Sequence, residues 1–324
     1  MKKARILTTM IAFATVLSTG LMIGACQNKP AETQVTTAPS AATVASTQAT
    51  VATEPFPTAG DNPFAVNPLT GVQDMALDNV GKRSISVSIN NHPEALPSRG
   101  ISVADVVYEF ETEGGQTRML ALFADVSKVP EVGSLRSARI IAADLSAGTN
   151  SIFVHYGKNA RVPDFLSSND IDHIDGNNYS KERDQSVDGK ITLPDDIYFW
   201  RDSDWMDARA LEHTAVTNGE QILRAMEDLK VEATGDTPSL FTFAPAGTKA
   251  LSSGEVCDEL VVYFSTNNDD STFTYDPATK LYLKSEYGGD PQIDETTGDQ
   301  IAVTNVVVLF ANIKPHGDTT IDAY

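Results

Sequence analysis

From Gln27 to about Asp61 the chain carries almost no large apolar residue, running through Thr, Ala, Ser, Pro and Val as in Thr36-Thr37-Ala38-Pro39. Such a stretch cannot bury enough surface to offset the entropy lost on ordering. Any fold is therefore built from the residues after it. Cysteine usage narrows the options again, because after Cys26 only Cys257 remains. No intrachain disulfide can staple the later part, which must rest on an ordinary hydrophobic core. Cys257, at the edge of the strand-like run Glu255–Tyr263, reads as a small packed apolar residue rather than a nucleophile, since no histidine lies near it in sequence.

Before that stretch the sequence has the three parts of an export signal. Lys2, Lys3 and Arg5 form a charged start, Ile6 to Leu21 an apolar middle, and Ile23-Gly24-Ala25 a small-residue cleavage site directly before Cys26. A cysteine in that place reads as the residue that is lipidated and becomes the mature N-terminus. The expectation is a signal peptide over 1–25, a disordered tether over 26–61 starting at lipidated Cys26, and a folded part that stands off the outer face of the membrane. A tether of roughly 35 residues reaches about 30–35 Å.

Loss of the signal removes three cations and no acid, so the formal charge of −20 becomes −23. A field of that sign repels nucleic acid and anionic headgroups at long range. Nucleic acid is thereby excluded as a partner, and any anion site has to be local.

The folded part divides by pattern. Ser84–Ile89 alternates polar and apolar residues, predicting a strand with one buried face. Val106–Thr112 is a second strand, and Gly114-Gly115 a hairpin signal. With a two-residue loop, Glu111 would face Arg118 across the hairpin. A helix is predicted over Ser137–Leu145, followed by a short strand at Ser151–His155. From about Leu240 the pattern is strand only, at 260–265, 272–276, 281–285 and 302–313. The fold class expected is α+β: a mixed α/β N-terminal domain over 62–236, then a smaller β-rich C-terminal domain over 237–324.

The densest chemistry is Gly133-Ser134-Leu135-Arg136-Ser137-Ala138-Arg139, at a strand-to-helix junction. Free N–H groups and the positive helix end gather at such a junction, and Arg136 and Arg139 would share a helical face. The alternative is that the arginines pair with Glu109, Glu111 or Glu113 and tie the helix to the hairpin. The spacing is neither a Walker loop nor a dinucleotide fingerprint. The histidines His92, His155, His173 and His213 lack the spacing of a metal motif, so no metal or other cofactor is expected. Glu111 and Glu113 read as a solvated or salt-bridged face rather than a glycosidase pair.

Several blocks in order, among them Ser84–Ala95, Ala104–Glu109, Glu113–Ala121, Gly133–Arg139, His173–Gly176, Phe199–Asp202 and Glu212–Thr214, resemble the YerB-type lipoproteins of Gram-positive bacteria, a domain of unknown function. The resemblance runs from about residue 62 to the C-terminus and implies the two-domain α+β architecture and the lipid anchor, but no activity. It also implies that related chains continue past the position of Tyr324 with a glycine-rich β segment. After His155 the family has a small residue, two glycines and a serine where this chain has Tyr156-Gly157-Lys158-Asn159.

The function expected is an envelope-associated binding protein at the extracytoplasmic face. Its site would comprise Arg118, Arg136, Ser137, Arg139, His155 and His213 and hold an anionic cell-wall polymer or lipid-linked phosphate. Two alternatives stay open: a phosphodiester or phosphotransfer enzyme, loosely similar in its arginine-rich junction to LytR-CpsA-Psr phosphotransferases, and a non-catalytic lipoprotein that docks proteins.

Overall fold

The computed structural model describes residues 63–180, 195–244, 254–264 and 270–311, and the backbone of short strands at 4–6, 180–181, 186–187, 190–191, 313–315 and 321–323. The predicted signal, Cys26 and the tether lie outside the fully described residues. Among the described residues no helix is long and apolar enough to cross a membrane.

A five-stranded sheet organises the N-terminal part, in the order Val106–Glu111, Thr117–Phe123, Ile85–Asn90, Ile152–His155, His173–Asp175. The last three run parallel to one another, while Thr117–Phe123 is antiparallel to both of its neighbours. Both faces are covered. On one lie helices α1 (Ile140–Gly148) and α2 (Val162–Ser168), packed on Leu120, Leu122 and Phe153. On the other lie Trp200, Trp205 and helix α4 (Gly219–Leu229), packed on Ile85, Val87, Ile89 and Met119.

This layering corrects the expectation of a strand with a single buried face. All six residues of Ile85–Asn90 are buried. The serines face α1, and Ser86 is satisfied by a 2.7 Å hydrogen bond to Ser146 of that helix. Alternation reported two different environments, one apolar and one hydrogen-bonded, rather than inside and outside.

The hairpin register is also shifted. Glu113–Gly115 forms a short 3-10 turn, with Gly114 and Gly115 both at positive φ, so Arg118 pairs with Phe110 and not with Glu111. A one-residue slip moves every side chain to the opposite face. Arg118 thereby points to the α1 side, while Glu109 shares its face with Met119.

The C-terminal part is a sheet built on Glu259–Tyr263, Asp270–Asp276 and Leu281–Glu286, with Asp290–Pro291 and Ala302–Val303 paired to the last of these. The backbone of Ala4–Ile6 lies parallel to Leu260–Val262. Of the strand expected over 302–313, only Ala302–Val303 pairs with this sheet: Thr304–Ala311 makes no ladder. The architecture is α+β in two domains. Cys257 is half-buried and burial pushes its thiol up, which suits the packed rather than the reactive reading.

The two parts are joined by a buried polar knot. Lys284 Nζ lies 3.2 Å from Glu109 and is ion-paired with Glu286. Asn91 Nδ2 donates to Glu109, Glu286 and Thr117, and Ser271 donates to Glu109 at 2.8 Å.

Candidate functional site

Parallel strands place their carboxyl ends together, and there the loops that follow them meet. At that end of the central sheet stand Asn90, His155 and Asp175, the last residues of three parallel strands, and Arg118, which pairs with Asn90 from the antiparallel strand. Arg118, Asn90, His155 and Asp175 alternate with the apolar residues Met119, Ile89, Val154 and Ile174 of the opposite face, so all four point to the α1 side.

The junction 134–139 crosses this end as extended chain. Helix α1 begins at Ile140 with Arg139 as its N-cap in an extended conformation, so Arg136 and Arg139 do not share a helical face, correcting the helix start expected at Ser137. The reason lies in the backbone partners. Arg136 N donates to Ser88 O, Leu135 N to Ala215 O and Ala138 N to Gly157 O, which holds the segment across strand ends instead of coiling it. Gly157 has φ 77°, and a Cβ there would stand 3.2 Å from Ser137 Oγ. The junction fits against the loop after His155 only with a glycine at that point.

Arg118 and Arg139 are each 8% exposed and converge on one carboxylate. Glu113 is ion-paired with Arg139 and lies 3.7 Å from Arg118. Arg118 donates to Ser137 O, and Arg139 donates to Ala138 O at 2.8 Å. Both are thus internal ties to the hairpin turn. Of the two arginines in the tie reading, Arg139 meets Glu113, whereas the Arg136 guanidinium is directed to the carbonyl of Glu212. Arg136 is half-buried and makes a single long contact, 3.4 Å, to the carbonyl of Glu212. The charges do not balance locally. Burial and the neighbouring Arg139 and Arg136 outweigh Glu113 and push Arg118 down to about 9. The same guanidiniums outweigh burial at Glu113 and hold its carboxyl below the usual range.

His155 is fully buried. Its Nδ1 donates to the carbonyl of Gly157 at 2.8 Å, which can only accept, so its Nε2 is the acceptor for His173 Nδ1 at 3.1 Å. The two rings stack with centroids 5.2 Å apart. Burial pushes His155 down to about 4 and also lowers His173, so this pair is neutral near pH 7. Asp175, ion-paired with Lys158 and accepting from Gly157 N at 2.8 Å, fixes the loop. His155 is therefore buried behind the junction, held between Gly157 and His173.

His213 lies on the other side of Arg136. It is 3% exposed, stacks on His92 with centroids 5.0 Å apart, and hydrogen-bonds Asn90 at 2.8 Å. His92, Glu94 and His213 form the one group among the described residues whose ligating atoms approach one another closely enough for a metal, all within 4.8 Å.

Sequence reasoning missed Asn90, Glu113 as the shared partner, and Glu94. Asn90-Asn91-His92-Pro93 at a strand end was the available signal, since Asn and Pro punctuate the exit of a strand. Nothing in the sequence indicated that residues about 120 apart, Asn90 and His213, would meet.

Comparison with known proteins places this geometry in a family. The N-terminal domain of the DUF3048 proteins of unknown function matches residues 69–232, and the C-terminal domain of the same proteins matches residues 260–323. The candidate lipoprotein YerB of Bacillus subtilis (strain 168) is 32% identical over 249 residues, covering 76% of this chain and 67% of that protein. A crystal structure of the YerB protein from Bacillus subtilis superposes with a TM-score of 0.62 at 28% identity, covering 79% of this chain and 78% of that one.

Proposed function

This chain belongs to the DUF3048 family of proteins of unknown function, and we propose that it is a lipid-anchored protein of the outer membrane face that binds a phosphate-bearing ligand of the cell envelope. Anchoring through Cys26 is supported by the signal layout of residues 1–26 and by the lipoprotein name of the relative. The tether over 26–61 gives the folded part room to reach wall polymer or lipid-linked phosphate.

The observation that carries the binding reading is the surplus of cations at the carboxyl end of the sheet. Three guanidiniums, Arg118, Arg136 and Arg139, lie around the carboxylate of Glu113, with Glu212 beside Arg136, in a protein that is otherwise strongly acidic. Two of them are spent on internal ties, which leaves Arg136 as the guanidinium that meets the ligand, with Ser137 beside it and His213 next to it. Arg118, Arg139 and His155 supply the field and the geometry from behind.

A phosphotransfer enzyme would need carboxylates free to hold a divalent ion beside the arginines. Glu113 is engaged by two of them, so binding without turnover is the better reading. Protein docking has its own observation, the exposed Val307, Leu309 and Phe310 of the C-terminal part, at 58%, 70% and 67%.

The test is thermal stabilisation of the full chain by phosphorylated wall fragments and by polyprenyl phosphates. Arg136→Ala is expected to abolish the stabilisation while changing the unfolding free energy by less than about 0.5 kcal/mol. Arg139→Ala is expected to cost about 1–3 kcal/mol by itself, because it leaves Glu113 with a weaker partner. Wild-type protein that none of these ligands stabilises would overturn the reading.

A further inference from the structure

We infer that the His92–His213 stack beside Arg136 is a subsite of Nε2–H donors for the oxygens of a phosphate group, and that Glu94 is the internal carboxylate which that group displaces. The inference rests on the anion reading above and assigns the donors that hold its ligand.

The argument starts from the hydrogen bonds that fix the tautomers. Asn90 Oδ1 accepts from the backbone N–H of His92 at 3.2 Å, so its amide Nδ2 is the atom that faces His213. That NH2 group donates to His213 Nδ1 at 2.8 Å. The backbone N–H of Glu94 donates to His92 Nδ1 at 3.1 Å. Each ring thus uses Nδ1 as an acceptor and, when neutral, carries its proton on Nε2. Burial and the neighbouring Arg136 lower His213, which keeps it neutral.

A neutral imidazole that binds a metal through Nε2 must carry its proton on Nδ1, and that proton would point at an N–H group in both rings. The usual support for a ligating histidine is an acceptor at its second nitrogen. Here both supports are donors. The group His92, Glu94 and His213 therefore has the spacing of a metal site with the opposite hydrogen-bond polarity.

What the polarity fits is an oxygen anion. His213 Nε2 lies 3.9 Å from Glu94 Oε2, beyond hydrogen-bond distance, and the Glu94 side chain is 72% exposed. A carboxylate so exposed is held weakly. It stands where an acceptor oxygen is wanted and leaves readily. Charge favours the exchange. Arg118, Arg136, Arg139 and Arg201 act on this corner, against Glu94, Glu113 and Glu212. Displacement of Glu94 leaves two acids against four guanidiniums, and the oxygen anion that replaces it is held by that surplus.

Long-range proton–nitrogen spectra of the full chain, titrated with diethyl phosphate, inorganic phosphate and zinc, test this. Both histidines are expected as Nε2–H tautomers, with the His213 Nε2 resonance moving on addition of diethyl phosphate or of inorganic phosphate. Glu94→Gln is expected to tighten diethyl phosphate binding several-fold. His213→Phe, which keeps a ring on the stack, is expected to weaken it by about tenfold, the worth of one hydrogen bond. Nδ1–H tautomers, or zinc binding lost in Glu94→Gln, would overturn the subsite in favour of a metal. Binding that Arg136→Ala abolishes but neither His213→Phe nor Glu94→Gln changes would overturn the subsite and leave the arginine reading standing. No binding of either phosphate to wild type would sink both.

Discussion

Two buried ionic corners flank the central sheet, and they carry opposite imbalances. Behind α1, Arg118 and Arg139 share Glu113, with Arg136 adding a third cation. On the other face, where the C-terminal sheet docks, Glu109 and Glu286 share Lys284. The acidic corner is sealed from solvent: Asn91, Ser271, Thr117 and Gln292 hydrogen-bond it from both domains, leaving Glu286 Oε2 as its one buried oxygen without a partner among the described residues. The basic corner is tied by backbone carbonyls on the inside and reaches the surface at the half-buried Arg136 and at Glu94, which stands over the buried His213. A buried imbalance that is sealed serves to join two parts of the chain. One that reaches solvent is left to be completed by something else.

The sharpest way to break the acidic corner is Lys284→Met. It leaves two carboxylates buried without a cation, and the expected loss is about 3–5 kcal/mol in urea unfolding. A loss under about 1 kcal/mol would mean that the interface does not depend on this knot.

Acid should fail the basic corner next. His155 is neutral when folded, with its value drawn down to about 4 from an ordinary 6.5. The unfolded chain therefore binds more protons between those limits, and stability falls as the pH drops from 6.5 toward 4. The full effect is on the order of 3 kcal/mol. Protonation would also place a new cation beside Lys158, with Asp175 the one carboxylate acting on both. His155→Asn should flatten this limb of the stability profile; an unchanged slope would show that His155 does not carry it.

The smallest effect belongs to Glu286→Gln. Glu286 Oε1 accepts from Asn91 at 3.0 Å and pairs with Lys284, while Oε2 is buried without a hydrogen-bond partner. An amide keeps the accepting oxygen but sets an NH2 group where no partner stands, so it should cost about 1–3 kcal/mol, less than the loss at Lys284. A cost equal to that of Lys284→Met would mean that the charge, not the oxygen, holds the corner.

The hairpin shows how far local reading reaches. Both strands and the Gly114-Gly115 turn were legible, because strand alternation and a glycine pair are local signals. The register was not, since a 3-10 turn and a two-residue turn use the same glycines and differ by one position in what they set opposite Arg118. That one position decides which face receives Arg118 and therefore which acid it meets. The anchor position Glu109 was equally invisible. It reads as one of three solvent-facing glutamates, and only the arrival of Lys284 and Ser271 from the C-terminal sheet buries it. Helices α2, α3 (Ser203–Ala208) and α4 went unread, although Asn218 as N-cap and the amphipathic run after it mark α4 clearly.

By itself the sequence determined the α+β class, the order of a mixed domain and a β-rich one, and the place of the arginine-rich segment at a junction before a helix. These depend on periodicity and composition, which are properties of neighbouring residues. Tertiary structure alone decided that Glu113 is the shared counter-ion, that His155 stands behind the arginines while His213 stands beside Arg136, and that Asn90 sets the tautomer of His213. Each of these is a contact between residues far apart in the chain. Such contacts are fixed by strand register and by which surfaces pack, and a residue's neighbours in sequence carry no record of either.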